Sequence, residues 1–294
     1  RTDSEGRAGV RVEWPASATV SGPGQNTRPG QSAPAITIVA AVTDQLTTTF
    51  ELNASGRSPE FSAAGFVNAA TFVSGIVPGG LATLFGAGLS EGVQGTVLAE
   101  GATSFGGTTV RIGGFAAPLL SITGPSSEQI NLQVPFEVSA GQTTVEVENN
   151  GTVVSVSGIP VFSEQPGIFE IPLPTGGTVG AVIHASTGQL VTPQNPAQRQ
   201  EPLSIFFTGG GALRPAVNTG ALGPIPPAVM TESLTVSFDD REALLLFSGY
   251  APGFVGLYQA NFTIPAGGGC GPLALRIQVG ELQSSPSTTS VVCP

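Results

Sequence analysis

The sequence predicts an all-β protein, two tandem β-sandwiches behind an N-terminal strand extension. Three observations predict it: the chain repeats itself, its composition is that of short strands between turns, and no long amphipathic helical segment occurs. The repeat is the strongest of the three. A Q-x-N-x-x-[VI]-P motif, Gln129-Ile130-Asn131-Leu132-Gln133-Val134-Pro135, returns as Gln259-Ala260-Asn261-Phe262-Thr263-Ile264-Pro265. Upstream, Val110-Arg111-Ile112-Gly113-Gly114 and the Leu119-Leu120 pair return as Val236-Ser237-Phe238-Asp239-Asp240 and Leu245-Leu246. Residues 81–88 (LATLFGAG) align with residues 203–210 (LSIFFTGG). Three matches in one order, displaced by about 122 to 130 residues, mark a duplicated unit of roughly 100 to 130 residues, the size of one domain.

Composition agrees. A chain of 294 residues is long enough for about two domains, each with its own core. Gly 41 and Pro 25 make up about a fifth of it, high for a helical protein. Only 10% of residues are charged while 40% are hydrophobic, the reverse of a disordered chain. Thr, Val and Ser between Gly and Pro favour many short strands, and no stretch of helical length shows a 3.6-residue apolar period. The net charge is −10, and all ten basic residues are Arg. Without a basic stripe, nucleic acid is not an expected partner. The longest apolar run, residues 35–42, is too short to span a bilayer, so no transmembrane segment is expected. The chain begins at Arg1 rather than Met. A processed mature protein or a trimmed fragment is therefore expected, exported to the outside or the cell surface, with its signal peptide already removed.

In chain order, residues 1–62 match neither repeat. Val10, Val12 and Trp14 alternate with Arg11 and Glu13, the period of a half-buried strand, and Ile36, Ile38, Ala40 and Val42 alternate likewise. With residues 46–52 this makes about three strands, too few for a sandwich of the usual seven or so. Such strands must pack on the first repeat, belong to a truncated domain, or pair with another subunit. Residues 63–165 form the first sandwich, with a buried strand from Leu81 and a two-residue hairpin signal at Gly113-Gly114. In its later strand Val145 and Val147 point inward and Glu146 and Glu148 outward, before a turn at Asn149-Asn150-Gly151. Residues 166–294 form the second sandwich. It holds the only cysteines, Cys270 and Cys293. Bridged, they would close a loop of about 24 residues, worth about 3 kcal/mol, and imply an oxidising compartment; two free or intermolecular thiols are the alternative.

Four segments carry a family resemblance: FVNAATF at 66–72, SEQINLQVPF at 127–136, PGIF at 166–169 and APGFVGLYQ at 251–259. In this order they resemble the Solibacter-type C-terminal domain found at the ends of large secreted acidobacterial proteins, a family of uncharacterised function. The resemblance covers about residues 65–292. It implies an exported bacterial β-protein whose halves are similar to immunoglobulin-like or IPT/TIG sandwiches, and it implies no catalytic residues. This chain departs from the family in having only about 62 residues ahead of that domain.

Candidate sites are few. Gly88-Leu89-Ser90-Glu91-Gly92 fits G-x-S-x-G, but a nucleophile elbow needs a following helix and a histidine, and the single histidine, His184, is in the other repeat. A turn at a strand end is expected there. One histidine and two cysteines cannot build a zinc site. Asp239, Asp240 and Glu242 offer oxygens to Ca²⁺, yet Gly113-Gly114 occupy the same hairpin in the first repeat, so turn chemistry suffices. Gly209-Gly210-Gly211 lacks the lysine of a phosphate loop, and LPTGG at 173–177 sits mid-chain, unlike a sorting signal. The chain is thus expected to be non-enzymatic, with no catalytic residue, metal or cofactor. The duplicated amides Gln129/Asn131 and Gln259/Asn261 are expected to satisfy loop backbone inside each sandwich, sugar binding being the sharper alternative. Two functions remain. One is a subunit of an extracellular fibre, a homopolymer assembled by strand exchange through Val10, Val12, Trp14, Ile36, Ile38 and Val42. The other is a secreted adhesion or carbohydrate-binding module that contacts a glycan or cell-surface protein through the loop of Tyr250, Phe254 and Tyr258.

Overall fold

The computed structural model describes residues 36–43, 46–52, 58–90, 93–97, 100–124, 128–239 and 241–293. It divides into two compact units, residues 1–55 and 56–294. In the first unit, Ile36–Thr43 pairs antiparallel with Leu46–Leu52, running from Ile36 opposite Leu52 to Thr43 opposite Leu46. Ile36, Ile38 and Val42 therefore sit in a strand whose hairpin partner comes from the same chain. Val10, Val12 and Trp14 lie outside the described residues.

The second unit is all strand and turn, with two hydrophobic cores. The first core draws on residues from Phe66 to Val161 and the second on residues from Ile168 to Val291. In the first sandwich one sheet orders its strands Glu60–Asn68, Leu81–Ala87, Glu128–Gln133, Leu119–Thr123 and Gly95–Thr96. The facing sheet runs Thr152–Val161, Gly141–Asn149, Thr108–Ile112 and Ser104–Phe105. The second sandwich repeats the plan. Its first sheet places Pro202–Thr208, Tyr258–Thr263 and Leu244–Tyr250 side by side, and its second pairs Leu234–Phe238 with Gly271–Val279. Alternation explains each strand: Leu273, Leu275, Ile277 and Val279 are buried in Gly271–Val279, and the residues between them are not.

The sheet registers correct one feature of the sequence alignment. Asn131 lies opposite Thr83 and Asn261 opposite Ser204. Thr83 thus corresponds to Ser204, and Phe85 to Phe206, a slip of one residue from the match of Leu81 with Leu203. Side chains alternate between faces, so one residue of slip separates core from surface. The hairpins do align as read: Ile112 pairs with Phe115 around Gly113-Gly114, and Phe238 pairs with Arg241. Gly113 (φ 59°) and Asp239 (φ 49°) both take the left-handed backbone that such turns require.

The two sandwiches share a polar junction. Gln133, fully buried, donates from Nε2 to the Tyr250 hydroxyl (2.9 Å) and to the Gly79 carbonyl (3.2 Å), and its Oε1 accepts from Gly220 N–H (2.7 Å). The Tyr250 hydroxyl also accepts from Gly256 N–H at 2.5 Å. Thr208 Oγ1 accepts from Leu81 N–H at 2.7 Å across the junction, and beside it Asn68 Nδ2 donates to the carbonyl of Gln165, the last residue of the first repeat, at 2.9 Å. A Cβ on Gly256 would come within 2.3 Å of Leu81, and one on Gly167 within 2.8 Å of Asn68 Oδ1. Both glycines are needed for this close approach.

Cys270 and Cys293 are bonded, with Cα atoms 4.9 Å apart. They flank the paired strands Gly271–Val279 and Ser287–Val291, whose first pair is Gly271 opposite Val291. Replacing both by Ser should lower stability by about 3 kcal/mol through release of the closing loop, measured by urea unfolding against the native protein. An unchanged midpoint would show that the last strand holds without the bridge.

Candidate functional site

The best candidate is the outward face of the large sheet of the second sandwich. Tyr258, Ala260 and Phe262 point into the core, so Gln259, Asn261 and Thr263 point out. Opposite them on one side are Phe206 and Ser204. On the other side a bulge at Leu246 shifts the register so that Phe247, not Leu246, faces Asn261. Phe206 and Phe247 are half-buried, whereas Leu244 (66%) and Leu246 (55%) are exposed. A Cβ on Gly249 would lie 2.7 Å from Phe247 Cζ, so the ring lies over the glycine backbone. Phe254, 54% exposed, sets its ring 6.5 Å from that of Phe206. None of the outward side chains on the three central strands is ionisable. Beyond them, His184 stands on the strand paired with Pro202–Thr208, next to Glu201, and Arg214 lies opposite Val229 at the other edge of the sheet.

The amides are organised on this face. Asn261 Oδ1 accepts from Gln259 Nε2 (2.7 Å) and from Ser204 Oγ (2.8 Å). The first sandwich holds the same cluster: Asn131 Oδ1 accepts from Gln129 Nε2 (3.1 Å) and Thr83 Oγ1 (2.7 Å). The sequence expectation that these amides satisfy loop backbone inside each sandwich is therefore corrected. They bond to hydroxyls on the neighbouring strand, because alternation turns them away from the core. One difference separates the copies. Asn131 Nδ2 donates to Ser121 Oγ at 2.9 Å, but Phe247 stands in the place of Ser121, and Asn261 Nδ2 has no partner among the described residues.

The other sequence candidates fall elsewhere. Tyr250 and Tyr258 are fully buried and cannot meet a ligand. Their rings pack edge-on at 5.6 Å, and Tyr258 donates its hydroxyl to the Gly211 carbonyl at 2.5 Å. Burial is possible because both hydroxyls find internal partners; of the three loop residues, only Phe254 is exposed. Ser90 is fully buried with no hydrogen-bond partner for its hydroxyl among the described residues, and its turn is held by Thr108 Oγ1 on the Leu89 carbonyl and Asn149 Nδ2 on the Gly88 carbonyl, both at 2.8 Å. The Leu89 N–H donates to the buried Glu128 carboxylate. His184 Nδ1 lies 2.7 Å from Glu201 Oε1 in the second sandwich. Asp239 accepts from Ala274 N–H at 3.1 Å and lines a shallow groove with Glu242 and Arg276, whose positive charge disfavours a cation. Among the described residues, no group of three or more His, Cys, Asp and Glu is placed to hold a metal ion. Sequence reading missed Phe206 and Phe247. The first was hidden by the one-residue slip, and the second by the bulge, which breaks the two-residue period.

No protein-family model and no curated protein sequence matches the chain. Among solved structures it is similar to SGBP-B of the Bacteroides ovatus mixed-linkage glucan utilization locus, in complex with a mixed-linkage heptasaccharide. The identity is 12% and the TM-score 0.34, over 87% of this chain and 52% of that one. It is also similar to domains 4–9 of the surface layer protein SbsC, at 14% identity and TM-score 0.22, over 85% of this chain and 34% of that one. The chain spans about half the length of the first and about a third of the second. Likenesses this distant carry nothing about its ligand. Among the described residues no helix is long and apolar enough to cross a membrane, which says nothing of β-barrels.

Burial raises the Tyr250 phenol above its ordinary value near 10, against the opposing bonds from Gly256 and Gln133. Burial raises Tyr258 much further, with the neighbouring Tyr250 adding to it. Folded values above unfolded ones give stability that is complete below about pH 10 and lost as pH rises beyond it. Phenolate absorbance should therefore appear together with unfolding rather than as a separate titration at the ordinary value. A reversible titration of both phenols near pH 10 with circular dichroism unchanged would contradict their burial.

Proposed function

We propose that this chain is a non-enzymatic, extracellular or cell-surface adhesion module, a rigid block of two sandwiches that presents an uncharged binding face. The observation that carries the reading is the outward sheet face of the second sandwich. Half-buried rings, exposed leucines and organised amides lie together there without an ionisable group on the three central strands. Apolar surface of this kind marks interaction sites. The disulfide supports an oxidising compartment, and the dispersal of acids, bases and hydroxyls supports a binding role over a catalytic one. Fibre assembly by strand exchange is the competing reading. It gains no support from the sandwiches, whose described cores draw on residues 66–291 of the same chain.

The test is attachment. Beads coated with the purified chain should be retained saturably on intact bacterial cells or on isolated extracellular matrix. Retention should change less than about twofold between low and high salt, because screening acts on charges and the three central strands of the face carry none. Absence of saturable retention on every surface would contradict the reading. Regular filaments in negative stain that disappear when residues 1–60 are deleted would establish strand exchange in its place.

A further inference from the structure

The duplication supplies its own control. Both copies build the same cluster, a Gln and a hydroxyl donating to one Asn oxygen, on the same strands and in the same register. In the first copy the Asn Nδ2 is closed by Ser121. In the second, a phenylalanine stands where that acceptor stood, held there by the bulge at Leu246. Asn261 Nδ2 has no acceptor among the described residues and is not among the buried unsatisfied atoms, so beside the ring it stays open to solvent or to a ligand. It suits a ligand that brings an acceptor and an apolar face together.

We propose that Phe206, Phe247, Gln259 and Asn261 form a binding site for an uncharged polysaccharide, with the buried Ser204 hydroxyl holding the Asn261 amide in place. The proposal rests on the adhesion reading and names its ligand class. Asn261 Nδ2 is the free donor, and Gln259 Oε1, which has no partner among the described residues, is the free acceptor two residues away on the same face. The 2.7 Å bond from Gln259 Nε2 to Asn261 Oδ1 holds the two amides side by side, so donor and acceptor are presented together to one stretch of ligand. Sugar hydroxyls both donate and accept, which matches the pair, and the C–H faces of sugar rings match the rings of Phe206, Phe247 and Phe254. An open sheet face accepts a chain running across it rather than an enclosed small molecule. The absence of ionisable side chains on the three central strands sets the ligand's charge: an anionic or cationic polymer would find no counter-charge there to replace its lost hydration.

The test uses the full chain in affinity gel electrophoresis, with mixed-linkage β-glucan, galactomannan or dextran in the gel and alginate as the anionic comparison. The native protein should be retarded by at least one neutral polysaccharide and not by alginate. Phe247→Ser, which gives Asn261 the acceptor its counterpart has, should weaken retardation by about tenfold, as should Phe206→Ala. Thermal midpoints of both variants are read alongside to show that they fold. Retardation equal to the native protein's in both folded variants would overturn this site while leaving the adhesion reading intact. No retardation by any neutral polysaccharide, with bead attachment retained, would overturn the ligand class alone; loss of both would remove the adhesion reading as well.

Discussion

Gln133 sits fully buried where the two sandwiches meet, and both polar atoms of its amide are bonded, Nε2 to Tyr250 and Gly79 and Oε1 to Gly220. Much of the second unit is arranged around that satisfaction. A buried amide left without partners costs about 1–3 kcal/mol per group, so Tyr250, the Gly79 turn and the loop at Gly220 are each held in place by it. Tyr250 in turn holds Gly256, and Gly256 must lack a side chain because Leu81 of the first sandwich approaches it. Asn68, Gln133, Gly167 and Gly256 all lie at or beside this junction.

The junction also explains how one duplicated unit came to carry two different faces. Each sandwich closes its own core by strand alternation, which leaves the Gln–Asn pair outside in both. Packing at the junction fixes the frame, and the outer faces are free to differ. Ser121 closes the amide in the first copy; Phe247 leaves it open in the second. The exchange of Ser121 for Phe247, next to a register shift present in both copies, separates an amide closed within the sheet from one left open.

Much of the fold was legible in the sequence, because duplication, hairpin glycines and two-residue alternation are local signals. The strand-rich class and the Gly113-Gly114 turn follow from neighbours in the chain, and two cysteines leave one possible bridge within the chain, Cys270 with Cys293. The site was less legible. LATLFGAG and LSIFFTGG align best by eye on Leu81 and Leu203, and nothing short of the register with Asn131 and Asn261 shows that Thr83 corresponds to Ser204. Tyr250 and Tyr258 looked like stacking residues since a tyrosine usually keeps its hydroxyl in water. Their internal partners, Gln133 and Gly211, are 117 and 47 residues away, beyond any local pattern.

The central claim is that the two sandwiches behave as one body through the Gln133 junction. Differential scanning calorimetry of the full chain and of Gln133→Ala tests it most directly. The native protein should unfold in one transition whose calorimetric and van't Hoff enthalpies agree, and Gln133→Ala should lose roughly 2–3 kcal/mol of stability. Two separate transitions in the native protein, unmoved by Gln133→Ala, would contradict it.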